Sequence, residues 1–181
     1  MHPLAHFRTI TEHRNLVCHY CLRIGLIRQG LLHDLSKYSP EEFLRGAKYY
    51  QGYRSPNDAE RQKTGMSLAW LHHKGRNKHH FEYWIDMSPN PSEGLIGVKM
   101  PRRYLAEMVI DRICASKIYK GRDFKPDDPL LYFLGGKKHC LMNERTAEVL
   151  EKILIMYRDK GERYTFRYLK KVFLKNPDAE Y

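Results

Sequence analysis

Leu31-Leu32-His33-Asp34-Leu35-Ser36-Lys37-Tyr38-Ser39-Pro40-Glu41-Glu42-Phe43 carries a helix start and a pair of metal-binding groups within one short stretch. Ser39 offers an N-cap hydroxyl, Pro40 suits the first helical position, where an amide hydrogen has no partner anyway, and Glu42 stands at the third. A helix is expected from Pro40 to about Tyr50, ended by Gly52. Just upstream, His33 and Asp34 place an imidazole nitrogen and a carboxylate at the end of an apolar segment. The carboxylate is the group there that can bridge two cations.

Similar punctuation recurs on both sides. Thr9 with Glu12 fits a capping box, so a first helix is expected from Ile10 to Arg28. Ser55-Pro56-Asn57-Asp58 opens another towards His72 or His73, and Ser88-Pro89-Asn90-Pro91-Ser92 reads as a surface loop. Pro101 begins a long helix that stops at Gly121. Asp128-Pro129 begins a short one ended by Gly135-Gly136. Asn143 caps a helix closed by Gly161, and a basic helix from Arg163 to Lys175 finishes the pattern. No clear strand alternation, internal repeat or dividing linker is visible. The expectation is an all-α fold, one domain over residues 1–181, with C-terminal helices over about 128–176.

The 181 residues suffice for one compact domain, and 42% hydrophobic with 29% charged residues excludes bulk disorder. No stretch of about 18 apolar residues and no apolar signal core is present, so a soluble cytoplasmic protein without a membrane partner is expected. Lys and Arg number 32 against 21 Asp and Glu, a net charge of +11 that favours nucleotides, phosphate esters or nucleic acid as partners. Cys18 and Cys21 form a C-x-x-C with no second copy to complete a zinc site; they, Cys114 and Cys140 are read as reduced thiols.

Further ligands for the His33-Asp34 pair stand at helical spacing. His13 shares a face with Leu16, Val17, Tyr20, Ile24 and Ile27, so it is either a core residue or a ligand. Asp111 lies in an apolar run from Leu105 to Ala115, where a buried carboxylate needs a cation or an arginine beside it. Between them stands His72-His73-Lys74-Gly75-Arg76-Asn77-Lys78-His79-His80. Four imidazoles so close together repel when protonated, and sharing a metal in the neutral form removes that repulsion. Met66, Ala69 and Trp70 favour His73 as the inward member of its pair, while Leu68 favours His72; the choice stays open. The other reading of this segment is a solvated basic loop.

The order His13, His33-Asp34, a His pair, a second His pair, then Asp111 resembles the HD-domain superfamily of metal-dependent phosphohydrolases over about residues 10–121. The longer string from His33 to Phe43 is also similar to an uncharacterised bacterial and phage family. The resemblance implies that His13, His33, Asp34 and Asp111 hold one divalent ion. Histidines among His72, His73, His79 and His80 would hold a second, with Asp34 bridging. It further implies one or two ions of Mn, Co, Ni, Zn or Fe and water-driven hydrolysis of a nucleotide or small phosphate ester. Lys37 and Arg76 would grip the phosphate. The chain departs from the superfamily in its short gap from His13 to His33, in Ser36 where glycine is usual, and in the closeness of the two His pairs.

Two other functions fit parts of the pattern. Some HD-domain relatives with such ligand sets hold two irons and activate oxygen. A nucleic-acid-binding protein with a structural metal is the reading from another class, since Tyr164, Phe166, Arg167, Tyr168, Lys170, Lys171 and Lys175 mix aromatics with cations. The helical spacing of Tyr164, Tyr168, Leu169, Val172 and Phe173 instead favours core packing with a solvated basic face.

Overall fold

Pro3 takes the first position of helix α1 (Pro3–Ile24) in the computed structural model, which describes residues 1–175. Residue 176, the far edge of the expected C-terminal helices, lies outside the described residues. Because α1 begins well before Ile10, Thr9 sits inside the helix and bonds the Tyr50 hydroxyl at 2.8 Å instead of capping. Gly25, at φ 92°, ends α1 in the left-handed conformation that glycine adopts without a Cβ clash. The expected run to Arg28 is therefore split. Helix α2 (Ile27–Leu32) folds back on α1, and Ile27 leaves the apolar stripe for solvent. Gly30 permits the close approach, since a Cβ there would lie 2.9 Å from Cys21 Cβ. Cys18 and Cys21 thus serve helix packing, and all four cysteines are free thiols.

His33 and Asp34 link α2 to a 3₁₀ turn at Leu35–Tyr38. Asp34 is at φ 54°, the only non-glycine residue with positive φ among the described residues. Helix α3 (Pro40–Tyr49) starts on Ser39 as the sequence predicts, the Ser39 hydroxyl accepting from the Glu42 amide. The single helix expected after Ser55 is two. Helix α4 (Pro56–Thr64) ends at Gly65, φ 80°, and α5 (Leu68–Lys74) is capped by Ser67, which accepts from the Trp70 amide at 3.1 Å. A 3₁₀ turn at Phe81–Trp84 leads into strand β1 (Ile85–Met87), paired antiparallel with β2 (Leu95–Gly97). Three-residue strands are too short to show alternation, which is why the hairpin was not legible; the proline-rich loop is its connection.

Helix α6 (Arg102–Lys120) stops at Gly121 as expected and forms the centre of the fold. Leu105, Ala106, Met108, Val109, Ile110 and Ile113 are each at most 1% exposed. Burying each of the larger side chains is worth about 1.5–3 kcal/mol. Around α6 pack α1, helix α7 (Asp128–Lys137) and helix α8 (Glu144–Tyr168). Helix α7 runs through Gly135 and Gly136 rather than stopping there. Helix α8 is capped by Asn143, which accepts from the Thr146 amide at 3.2 Å. Gly161, at φ 75° and ψ 175°, kinks α8 instead of closing it.

A π turn at Leu169–Phe173 follows and shifts the side-chain register. Phe166, Leu169 and Phe173 are buried, whereas Tyr164 and Val172 of the expected stripe face solvent. The fold is all-α apart from the short hairpin. Among the described residues no helix is long and apolar enough to cross a membrane.

Candidate metal centre

Five segments converge on one carboxylate. Helix α1 brings His13, the α2–turn link brings His33 and Asp34, α5 brings His73, the turn after it brings His79 and His80, and α6 brings Asp111. Asp34 Oδ2 lies 2.5 Å from Lys37 Nζ, 3.3 Å from His33 Nε2 and 3.6 Å from His13 Nε2. Its Oδ1 points the other way, 3.3 Å from His73 Nε2 and 3.4 Å from His79 Nε2. Asp111 Oδ1 closes the first cluster, 3.0 Å from His13 Nε2 and 3.5 Å from His33 Nε2. His80 Nε2 joins the second at 2.9 Å from His73 Nε2. Two four-residue groups able to hold an ion result, His13–His33–Asp34–Asp111 and Asp34–His73–His79–His80, with Asp34 common to both; His33, His79 and Glu107 make a third, smaller group.

These residues fit divalent ions on two counts. Asp34 Oδ1 and His79 Nε2 are buried and make no hydrogen bond, while Asp34 Oδ2 has the Lys37 ammonium beside it. Buried polar atoms are nearly always satisfied, and a cation satisfies a carboxylate oxygen and an imidazole lone pair alike. The spacings also agree: ligands about 2.1 Å from one ion stand about 3.0–3.5 Å from each other in octahedral or tetrahedral arrangements. Imidazole with carboxylate suits Mn, Co, Ni, Zn and Fe, so the donor set does not choose among them.

Behind the inward nitrogens stands a layer of carboxylates. His33 Nδ1 donates to Glu107 Oε1 at 2.9 Å and His79 Nδ1 to the same oxygen at 3.2 Å. His73 Nδ1 donates to Glu42 Oε2 at 2.7 Å, and Asn77 Nδ2 bonds the Ser36 hydroxyl and the His73 carbonyl nearby. Holding Nδ1–H on an acceptor leaves Nε2 as the lone-pair atom, fixing the tautomer a ligand needs. Glu42 and Glu107 are the members of the site that the sequence reading missed. Each left a signal: Glu107 precedes Asp111 by one helical turn inside an apolar run, and Glu42 sits on the inward side of a capped helix. Instead of reaching back to close a capping box, the Glu42 side chain is committed to the histidines.

The electrostatics follow from this crowding. Burial alone would raise the Asp34 carboxyl, but His33, Lys37 and His73 hold it well below the usual carboxylate range. Asp111 is likewise held low, by His13 and His33 against burial. Glu107 and Glu42 are lowered by their histidine partners, again against burial. Among the rings, burial lowers His13, only partly offset by Asp111, and lowers His80 with help from His79 and His73. Burial also opposes protonation of His33 and His73, yet Asp34, together with Asp111 and Glu107 at His33 and together with Glu42 at His73, raises both.

Two candidate residues stand apart. His72 donates from Nδ1 to Glu42 Oε1 at 2.6 Å and belongs to none of the ion-holding groups, because α5 turns its inward face through Ala69 and His73. Arg76 is exposed, donates to the His72 carbonyl at 3.3 Å and does not line the adjoining cavity. Lys37 does line it. That cavity, of about 770 Å³, opens on His13, His73, His80 and Asp111 and runs on past aromatic side chains including Trp70 and Tyr132.

No curated protein and no solved structure matches the chain. Residues 2–156 match the family described as "Family of unknown function (DUF5662)", and with most of its length so covered the chain belongs to that family.

Proposed function

We propose that the protein is a metal-dependent phosphohydrolase of the HD-domain type, acting on a nucleotide or small phosphate ester in the cavity beside Asp34. The observation that supports this most directly is the Asp34 carboxylate, buried and turned with one oxygen towards each histidine cluster, its Oδ1 without a hydrogen bond. His13, His33, Asp34 and Asp111 would hold one divalent ion; Asp34, His73, His79 and His80 would hold a second. Bound there, such ions supply a water of lowered pKa and neutralise charge on phosphate oxygens.

The chain's own groups divide the remaining work. Glu107 and Glu42 keep His33, His79 and His73 in one tautomer and one orientation. Asp34 and Asp111 bring negative charge that offsets two cations. Lys37, on the cavity wall and ion-paired to Asp34, places an ammonium where a phosphate oxygen would arrive. The cavity walls exclude bulk water from most of a small ligand.

Elemental mass spectrometry on protein purified without chelator or metal-affinity resin, followed by a phosphate-release screen, tests the reading. About two equivalents of Mn, Co, Ni or Zn together with release of phosphate is the expected result. Two irons with oxygen consumption and no phosphate release would replace it with an oxygenase. No bound metal, and none taken up on titration, would overturn the centre and make salt-dependent binding of DNA or RNA through exposed Arg167, Lys170 and Lys171 the next reading.

A further inference from the structure

The cavity beside the metal centre holds a second polar cluster that the hydrolytic machinery leaves unused. Arg112 follows Asp111 on α6, about 100° further round the helix, so it reaches the same cavity beside the ion-holding groups. Glu82, from the 3₁₀ turn after the histidines, lines this cavity too. Glu82 Oε2 and Arg112 Nε are both buried without a hydrogen-bond partner, and the two side chains do not form an ion pair with each other. Two opposite charges left unjoined on one cavity wall are an expensive arrangement unless something bridges them. Beside them, Tyr132 lines the cavity while 70% exposed, and the Arg112 guanidinium stands 5.8 Å from its ring centroid. An aromatic ring open on a cavity wall is a stacking surface.

The missing partner must donate a hydrogen bond to Glu82, accept one from Arg112, and present a flat face to Tyr132. A phosphate meets Arg112 but is repelled by Glu82; a metal ion or an amine meets Glu82 but is repelled by Arg112. A nucleobase meets all three demands, because its rigid plane carries donors and acceptors on one edge. Guanine matches best, with N1–H and N2–H for a carboxylate and O6 on the same edge for a guanidinium. We propose that Glu82 and Arg112 read the edge of a nucleobase stacked on Tyr132, making this part of the cavity a base-selective subsite. The phosphohydrolase reading supplies only the phosphate half of that ligand.

Calorimetric titration with guanosine, uridine and ribose 5-phosphate tests the subsite without relying on turnover. Guanosine is expected to bind more tightly than uridine. Glu82→Gln and Arg112→Lys should each weaken guanosine about tenfold and erase that preference. Tyr132→Ala should weaken both nucleosides alike, because stacking is indifferent to the base edge. Equal binding of the nucleosides, a preference that survives both edge substitutions, or binding of ribose 5-phosphate alone would overturn the proposal. Circular dichroism of each variant separates lost recognition from lost folding, and the isosteric Glu82→Gln decides should Arg112→Lys fail to fold. Nucleosides carry no phosphate, so a protein without metal can pass this test and a hydrolase blind to the base fails it.

Discussion

At the scale of single residues, Asp34 carries the most weight. A left-handed backbone costs an L-residue on the order of 1–2 kcal/mol. Asp and Asn are the side chains that tolerate it best. At φ 54° the Asp34 carboxylate turns inward, between the two histidine clusters. Asp34→Asn keeps both shape and backbone preference while removing the charge and one acceptor oxygen. The expected outcome is loss of both ions by elemental analysis with the far-ultraviolet dichroism unchanged; retained metal would refute the assignment. Glu107 acts one step further out, through His33 and His79. Glu107→Gln should weaken metal affinity about 10–100-fold, read as metal lost on dialysis against a competing chelator.

At the scale of elements, the centre depends on helices being interrupted where the sequence pattern looked continuous. Gly25 separates α1 from α2, and that break lets the His33-Asp34 link fold back beside His13. Gly65 and Ser67 separate α4 from α5 and aim His73 inward. The Ser67 hydroxyl also donates to buried Glu60 at 2.6 Å, fixing the start of α5. A different glycine ties the hairpin to α8. A Cβ on Gly97 would stand 2.4 Å from the Asn143 amide nitrogen and 2.7 Å from the Met142 carbonyl carbon, both backbone atoms that cannot swing aside. Gly97→Ala should therefore destabilise the protein by about 1–3 kcal/mol through overpacking. In a chain of this size that corresponds to a fall in Tm of about 2–4 °C per kcal/mol, and calorimetry would show it.

The whole molecule gathers buried carboxylates and histidines into one region, so its stability must depend on pH. Asp34, Asp111, Glu42 and Glu107 titrate below their ordinary values in the folded state. Each contributes stability present above its unfolded value, near 4, and lost as the pH falls through the folded one. His6 adds to the same trend at higher pH. Burial, with Lys37 nearby, lowers it from 6.5 to about 4. Between those values the unfolded chain binds a proton that the folded chain refuses. Stability therefore falls as the pH drops from 6.5 towards 4, by at most about 3 kcal/mol from this group. Urea titrations of metal-free protein at pH 7 and pH 5 should show a smaller loss in His6→Gln than in the unaltered protein, the remainder coming from the other buried rings, of which His13 and His80 are also lowered.

Much was legible in the sequence because it is local chemistry. Ser39, Ser55 and Asn143 marked helix starts by side-chain hydrogen bonding, Gly121 marked a stop, and an apolar run with a single aspartate marked the central helix. The histidine and aspartate order was also legible, since ligand types and their rough spacing are properties of the chain. Tertiary structure decided the rest. Whether Gly25 or Gly161 ends a helix or bends it depends on what packs against the chain there. Which of His72 and His73 turns inward depends on where α5 begins, and that was fixed by Ser67 reaching Glu60. Glu42, Glu107, Glu82 and Arg112 gain their roles only from partners twenty or more residues away. Side-chain chemistry is written locally; which buried charge is satisfied, and by what, is settled only when distant segments meet.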